Sequence, residues 1–125
     1  LLMWDIHRRV NLEALPPERV VVRFDFRGVP STMRCPRTWW LVLDRREVDL
    51  CLKDPGFQVN IVVGADLRAL IRVWMGDVRL AETVRAGLIR LEGPPPLVRA
   101  FPTWLALSTF AGVERVGSAV ASRPA

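Results

Sequence analysis

One histidine, two cysteines and a few clustered carboxylates are the residues in this 125-residue chain whose types could do chemistry. A histidine suits general acid–base work near neutral pH, and His7 is the only one. It stands among Asp5, Arg8 and Arg9, which reads as a solvated surface position. Cys35 and Cys51 are too few and too far apart for a zinc motif, and a site built from His7, Cys35 and Cys51 would need three unrelated segments to meet. The reading is two free thiols, no metal and no cofactor; the spacing leaves a disulfide open, but nothing points to an oxidising compartment. Asp25, Asp44, Glu47 and Asp49 would come close if their segments pair as strands, so a carboxylate pair is conceivable. Beside Arg23, Arg45 and Arg46 they read rather as solvated strand residues in weak ion pairs. No Gly-x-Ser-x-Gly, no His-Glu-x-x-His and no phosphate-cradling glycine loop occurs, so the chain is not expected to be an enzyme.

Large apolar side chains are the better lead. Trp39 and Trp40 are adjacent, so on a strand they point to opposite faces, and only one can enter a core. Trp74 and Met75 close an apolar helical stripe, and Phe101, Trp104, Leu105 and Phe110 fall in a proline-interrupted segment near the C-terminus. The plain interpretation is core packing. The functional one is a hydrophobic cavity between sheet and helices, with Trp40, Leu70, Trp74, Met75, Phe101, Trp104, Leu105 and Phe110 as candidate ligand-binding residues.

The elements that would position these groups are marked by period and punctuation. Asn60–Gly64 is apolar and β-branched, a buried strand. Asp66 stands where an N-cap belongs, and Leu67, Leu70, Ile71, Trp74 and Met75 follow at helical spacing until Gly76 stops the helix. Leu80, Ala81 and Val84 make a shorter helical face ending at Gly87, and Leu88–Leu91 returns to strand. Earlier in the chain, Leu2, Met3, Ile6 and Val10 share one helix face before Pro16-Pro17. Val20–Gly28 alternates as a half-buried strand; Thr38–Leu43 and Glu47–Leu52 complete a three-stranded antiparallel meander. Pro102 is expected to limit any helix near it, or to start a new one. The expected domain limits are a connecting helix and linker at 1–19, an α+β domain at 20–116 and a mobile tail at 117–125.

The formal charge is +5, yet Lys53 is the one lysine among eighteen basic residues and the arginines are dispersed. A nucleic-acid-binding surface concentrates positive charge on one face, so this piece is not expected to recognise DNA itself. The longest apolar stretch, Leu97–Val113, is broken by Arg99 and Pro102 and falls short of the ~20 residues of a membrane span, so stable membrane insertion is not expected. Leu1-Leu2-Met3-Trp4 runs straight into Asp5 and the basic trio His7-Arg8-Arg9, so this stretch is not expected to be a secretory leader, and with a first residue other than Met the expectation is that sequence lies upstream.

The order strand, Asp-initiated helix, glycine, short helix, glycine and strand ending in Glu92-Gly93 resembles sterol carrier protein type 2 domains. WWLVLDRREVDLCLKDPGF, DLRALIRVWMGD and RLEGPPPLVRAFPTWLALSTFAG are similar to the C-terminal part of some bacterial winged-helix regulators of the HxlR type. The similarity runs from about Val20 to Gly112 and rests on order and spacing, not on any diagnostic residue. It implies an α+β fold, a five-stranded, largely antiparallel twisted sheet in the order 3-2-1-4-5 with helices mainly on one face. It implies a cytoplasmic ligand-sensing or effector domain that binds an apolar or amphipathic, lipid-like small molecule, possible as a homodimer. DNA would then be reached only through a missing N-terminal winged-helix domain. A stand-alone lipid carrier, or an accessory or assembly domain of a larger enzyme, is the alternative; similar domains close some acetyltransferases and alkylsulfatases.

Overall fold

The computed structural model describes residues 2–107. The chain opens with helix α1 (Leu2–Arg8) and a 3-10 turn (Leu12–Ala14), then builds strands β1 (Val20–Arg27), β2 (Thr38–Asp44), β3 (Glu47–Cys51) and β4 (Ile61–Asp66). Helices α2 (Leu67–Trp74) and α3 (Leu80–Arg85), strand β5 (Ile89–Glu92) and helix α4 (Pro95–Trp104) follow.

The five strands form one sheet in the order β3-β2-β1-β4-β5, the expected order. All neighbours are antiparallel except β1 and β4, which run parallel with Phe24 opposite Val63. Alternation decides which face is buried, because successive side chains point to opposite sides of a strand. Val20, Val22, Phe24 and Phe26 of β1, Trp39, Leu41 and Leu43 of β2, and Ile61, Val63 and Ala65 of β4 share one face. All belong to a single core with Met3 and Ile6 of α1, Leu67, Leu70, Val73 and Trp74 of α2, Leu80 of α3, and Phe101 and Trp104 of α4. All four helices therefore contribute to the same side of the sheet.

Local chemistry sets the helix ends. Asp66 is extended, and its Oδ2 accepts from the Ala69 N–H at 3.0 Å, satisfying one of the free donors of the first turn of α2. At the other end Gly76 takes φ 83°. The Asp77 N–H then reaches Arg72 O at 2.9 Å and the Gly76 N–H reaches Val73 O at 3.0 Å, the double bond of a Schellman ending. The strand–helix–helix–strand order expected between Asn60 and Leu91 is present, with β4 running from Ile61 on to Asp66 itself.

Three details differ from expectation. Pro102 lies inside α4, in its last turn, and does not end it. There the missing N–H removes one hydrogen bond, and buried Phe101 and Trp104 on either side hold the turn. In α3 the buried partner of Leu80 is Thr83, whose hydroxyl donates to Leu80 O at 2.7 Å, while Val84 and Ala81 are exposed. His7 is not a solvated residue. Its Nε2 lies 2.7 Å from Val48 O, so the ring donates to β3 and fastens α1 to the edge strand, and its buried Nδ1 has no hydrogen-bond partner among the described residues.

Candidate functional site

The charged groups sort out first. Arg23 pairs with Asp25 at 3.0 Å and Arg46 with Asp44 at 3.6 Å, as solvated strand pairs. The Arg46 backbone N–H beside Asp44 holds that carboxyl below the usual carboxylate range, with the guanidinium adding to the effect. Arg45 differs from its expected role as an ion-pair partner: its Nε donates to Leu15 O at 2.7 Å, a carbonyl of the segment after α1. Arg27 likewise bonds the Gly87 and Leu88 carbonyls, Arg9 lies over Trp74, and Arg19 lies 3.8 Å from the Phe57 ring centroid. Asp44, Glu47 and Asp49 do gather with Arg19, Arg46 and Phe57 around an open hollow of about 360 Å³. With a guanidinium inside the group and water around it, that hollow lacks the desolvation that raises a catalytic acid.

Both cysteines are free thiols, half-buried. Burial pushes the Cys51 thiol up, and Asp49 adds to it, the opposite of the shift a nucleophile needs. Among the described residues no group of three or more His, Cys, Asp or Glu side chains converges as a metal site, and no helix is long and apolar enough to cross a membrane.

The apolar candidates separate into three groups. Leu70, Trp74, Phe101, Trp104 and Leu105 come together, but as packed core: Phe101 meets Trp104 edge-on at 6.2 Å between ring centroids and Phe24 at 6.3 Å. Trp40 stands half-buried on the opposite face of the sheet from Trp39, as adjacent strand residues must. Met75 is the C-cap of α2 and 67% exposed. The stripe read along α2 is thus rotated: the buried side is centred on Leu70 and Val73, with Ile71 at its margin. Phe110 lies outside the described residues.

An apolar cleft exists elsewhere. Leu2 and Met3 of α1, Leu67 and Ile71 of α2, Phe26 of β1, Trp39 of β2, and Met33 and Cys35 of the β1–β2 loop line a space of about 90 Å³. Met33 and Ile71, 43% and 37% exposed, are its most open side chains. Leu2 and Cys35 are half-buried, while Met3, Phe26 and Trp39 close the inner end. The two side-chain polar hydrogens on its walls are both engaged: Trp39 Nε1–H donates to Pro36 O at 2.9 Å, and the Cys35 thiol is directed to the same carbonyl at 3.5 Å. None of the seven described residues among those expected to bind ligand lines this cleft. The available signal was compositional: Met33 and Cys35 are soft side chains in a loop otherwise made of small, polar and proline residues.

Comparison with known proteins places the fold. No family model and no curated protein sequence matches the chain. Among solved structures, the inverting sec-alkylsulfatase Pisa1 from Pseudomonas sp. superposes with a TM-score of 0.62 at 11% identity over 82% of this chain, and the chain spans 15% of that enzyme. The palmitated SCP2L2 protein of Aedes aegypti gives 0.58 at 13% identity, covering 83% of this chain and 90% of that one. The ubiquinone synthesis protein UbiJ-SCP2 gives 0.54 at 22% identity, with 80% and 76% covered. At these identities the shared property is the fold, that of sterol carrier protein 2 domains.

Proposed function

We propose that this chain is a ligand-binding domain that takes an apolar or amphipathic small molecule in the cleft between α1, α2 and the β1–β2 loop. In this reading it is not an enzyme. It is the C-terminal ligand-sensing or effector domain of a bacterial, cytoplasmic winged-helix transcription regulator of the HxlR type, homodimeric, with DNA reached through an N-terminal winged-helix domain. One observation carries the proposal: Leu2 and Met3 form a wall of the cleft, so an occupant presses directly on α1. That helix is docked by few groups, chiefly buried Met3 and Ile6 and the His7 bond to Val48 O. A ligand that prefers one placement of α1 shifts its population by its difference in affinity for the two placements, and whatever is joined to α1 follows.

A stand-alone lipid carrier is the second reading, favoured by the likeness to a palmitated protein of nearly the same span. The likeness to a small part of an alkylsulfatase favours an accessory domain. Amide hydrogen exchange along α1 separates the first reading from these. With toluene bound in the cleft, protection at residues 3–8 changes about tenfold or more while β1 and β4 stay as they were, a difference of ~1.4 kcal/mol in local opening. Saturable binding with no change in α1 supports a carrier, and no binding by any apolar probe removes the ligand-binding reading altogether.

A further inference from the structure

The cleft's size and walls narrow what it takes. Its space of about 90 Å³ is smaller than the ~150 Å³ of an engineered apolar cavity that holds one benzene ring. A single six-membered ring therefore fills it to the mouth, and a sterol nucleus or a full acyl chain enters only if α1 is withdrawn from its place against the sheet.

The wall chemistry is as selective as the volume. Five of the eight lining residues are aromatic or carry sulfur: Phe26, Trp39, Met3, Met33 and Cys35. Three of the chain's five sulfur atoms meet in this one small space. Sulfur against a ring edge and ring against ring are the favourable contacts such polarisable walls offer. A charged or hydroxylated group inside would lose its water and find little in return, because the indole N–H and the thiol are both turned to Pro36 O.

From these observations we infer that the ligand, or the part of it that enters the protein, is a small uncharged aromatic ring. This deepens the proposed function and rests on it. Met33 and Ile71 at the mouth set the limit on substituents, since both are exposed enough to turn outward and admit a short group. The ring stacks near Trp39, so occupancy alters the emission of a tryptophan fixed by its bond to Pro36 O.

Toluene, benzoate and palmitate test the inference on the whole chain, read by tryptophan emission and by melting temperature. Toluene is expected to bind saturably and to raise the melting temperature, with neither benzoate nor palmitate displacing it. Ile71→Trp, which fills the mouth from a partly exposed position, should weaken toluene binding by about tenfold or more. Met33→Trp does the same from the loop side, should the first variant prove misfolded by circular dichroism. Displacement of toluene by palmitate or benzoate overturns the assigned ligand class, and so does undiminished toluene binding in the folded, blocked variants. Palmitate binding without toluene binding overturns the inference and leaves the cleft as a ligand site. Binding of none of the three overturns both.

Discussion

Trp104→Ala lowers the free energy of unfolding by about 3–5 kcal/mol. The residue is 1% exposed, its ring meets Phe101 edge-on, and Phe101 in turn lies against Phe24 at the centre of the sheet. Removing the indole leaves a void in the core that its neighbours can only partly close, so the loss exceeds simple transfer of the side chain to water. The Asn11 N–H bond to Trp104 O, 2.8 Å long, is made by backbone and survives the substitution, so α4 stays tied to the segment after α1. Urea unfolding measures the effect. A drop below ~1 kcal/mol together with loss of ligand binding would show that Trp104 borders a binding space and is not core.

Gly93→Ala costs about 1–3 kcal/mol for a different reason. A Cβ at Gly93 would stand 2.6 Å from Asn60 O, and that oxygen is backbone, so it cannot swing aside as a side chain would. Asn60 also joins β4 to β1 at both ends of one residue: its side-chain oxygen accepts from the Val21 N–H and its own N–H donates to Val21 O, each at 2.8 Å. Any shift that makes room for the new methyl strains the one parallel pairing in the sheet. Thermal unfolding reads the loss, and faster amide exchange at Val21 locates it. A change within ~0.5 kcal/mol would mean that the β5–α4 corner yields without disturbing β4.

Much of the fold was legible because it is written in local terms. Alternation in Val20–Arg27 placed β1 and its buried face, and Asp66 and Gly76 marked the two ends of α2 with the hydrogen bonds those residue types make. The order of the strands is not a local property and came from resemblance to a known fold. What could not be read depends on packing between distant segments. His7 looks solvated among its sequence neighbours, and only the approach of β3 gives its ring a carbonyl to bond. Arg45 sits in a hairpin beside Asp44, yet it turns to Leu15 O, thirty residues earlier. Met75 continues the helical period of α2, but the Schellman ending turns the chain at that residue and leaves it outside.

The cleft was the least legible feature. Its eight residues come from two helices, two strands and a loop, and no period links them. Helical spacing in α2 pointed to the side chains that pack best, Leu70 and Trp74, whereas the cleft lies where packing gives out, at Ile71 on the margin of the same helix. Large apolar residues near the C-terminus suggested the lining of a cavity; in the fold, Phe101 and Trp104 belong to the packed core.

Intermolecular NOEs from bound toluene to methyl-labelled protein test the central claim most directly. The cleft places the ring protons against the Met3 and Met33 methyl groups and those of Leu67 and Ile71, so cross-peaks to these four are the expected result. Cross-peaks to Leu70 and Leu105 in their place, or ligand binding with no contact to Met3 and Met33, would contradict it.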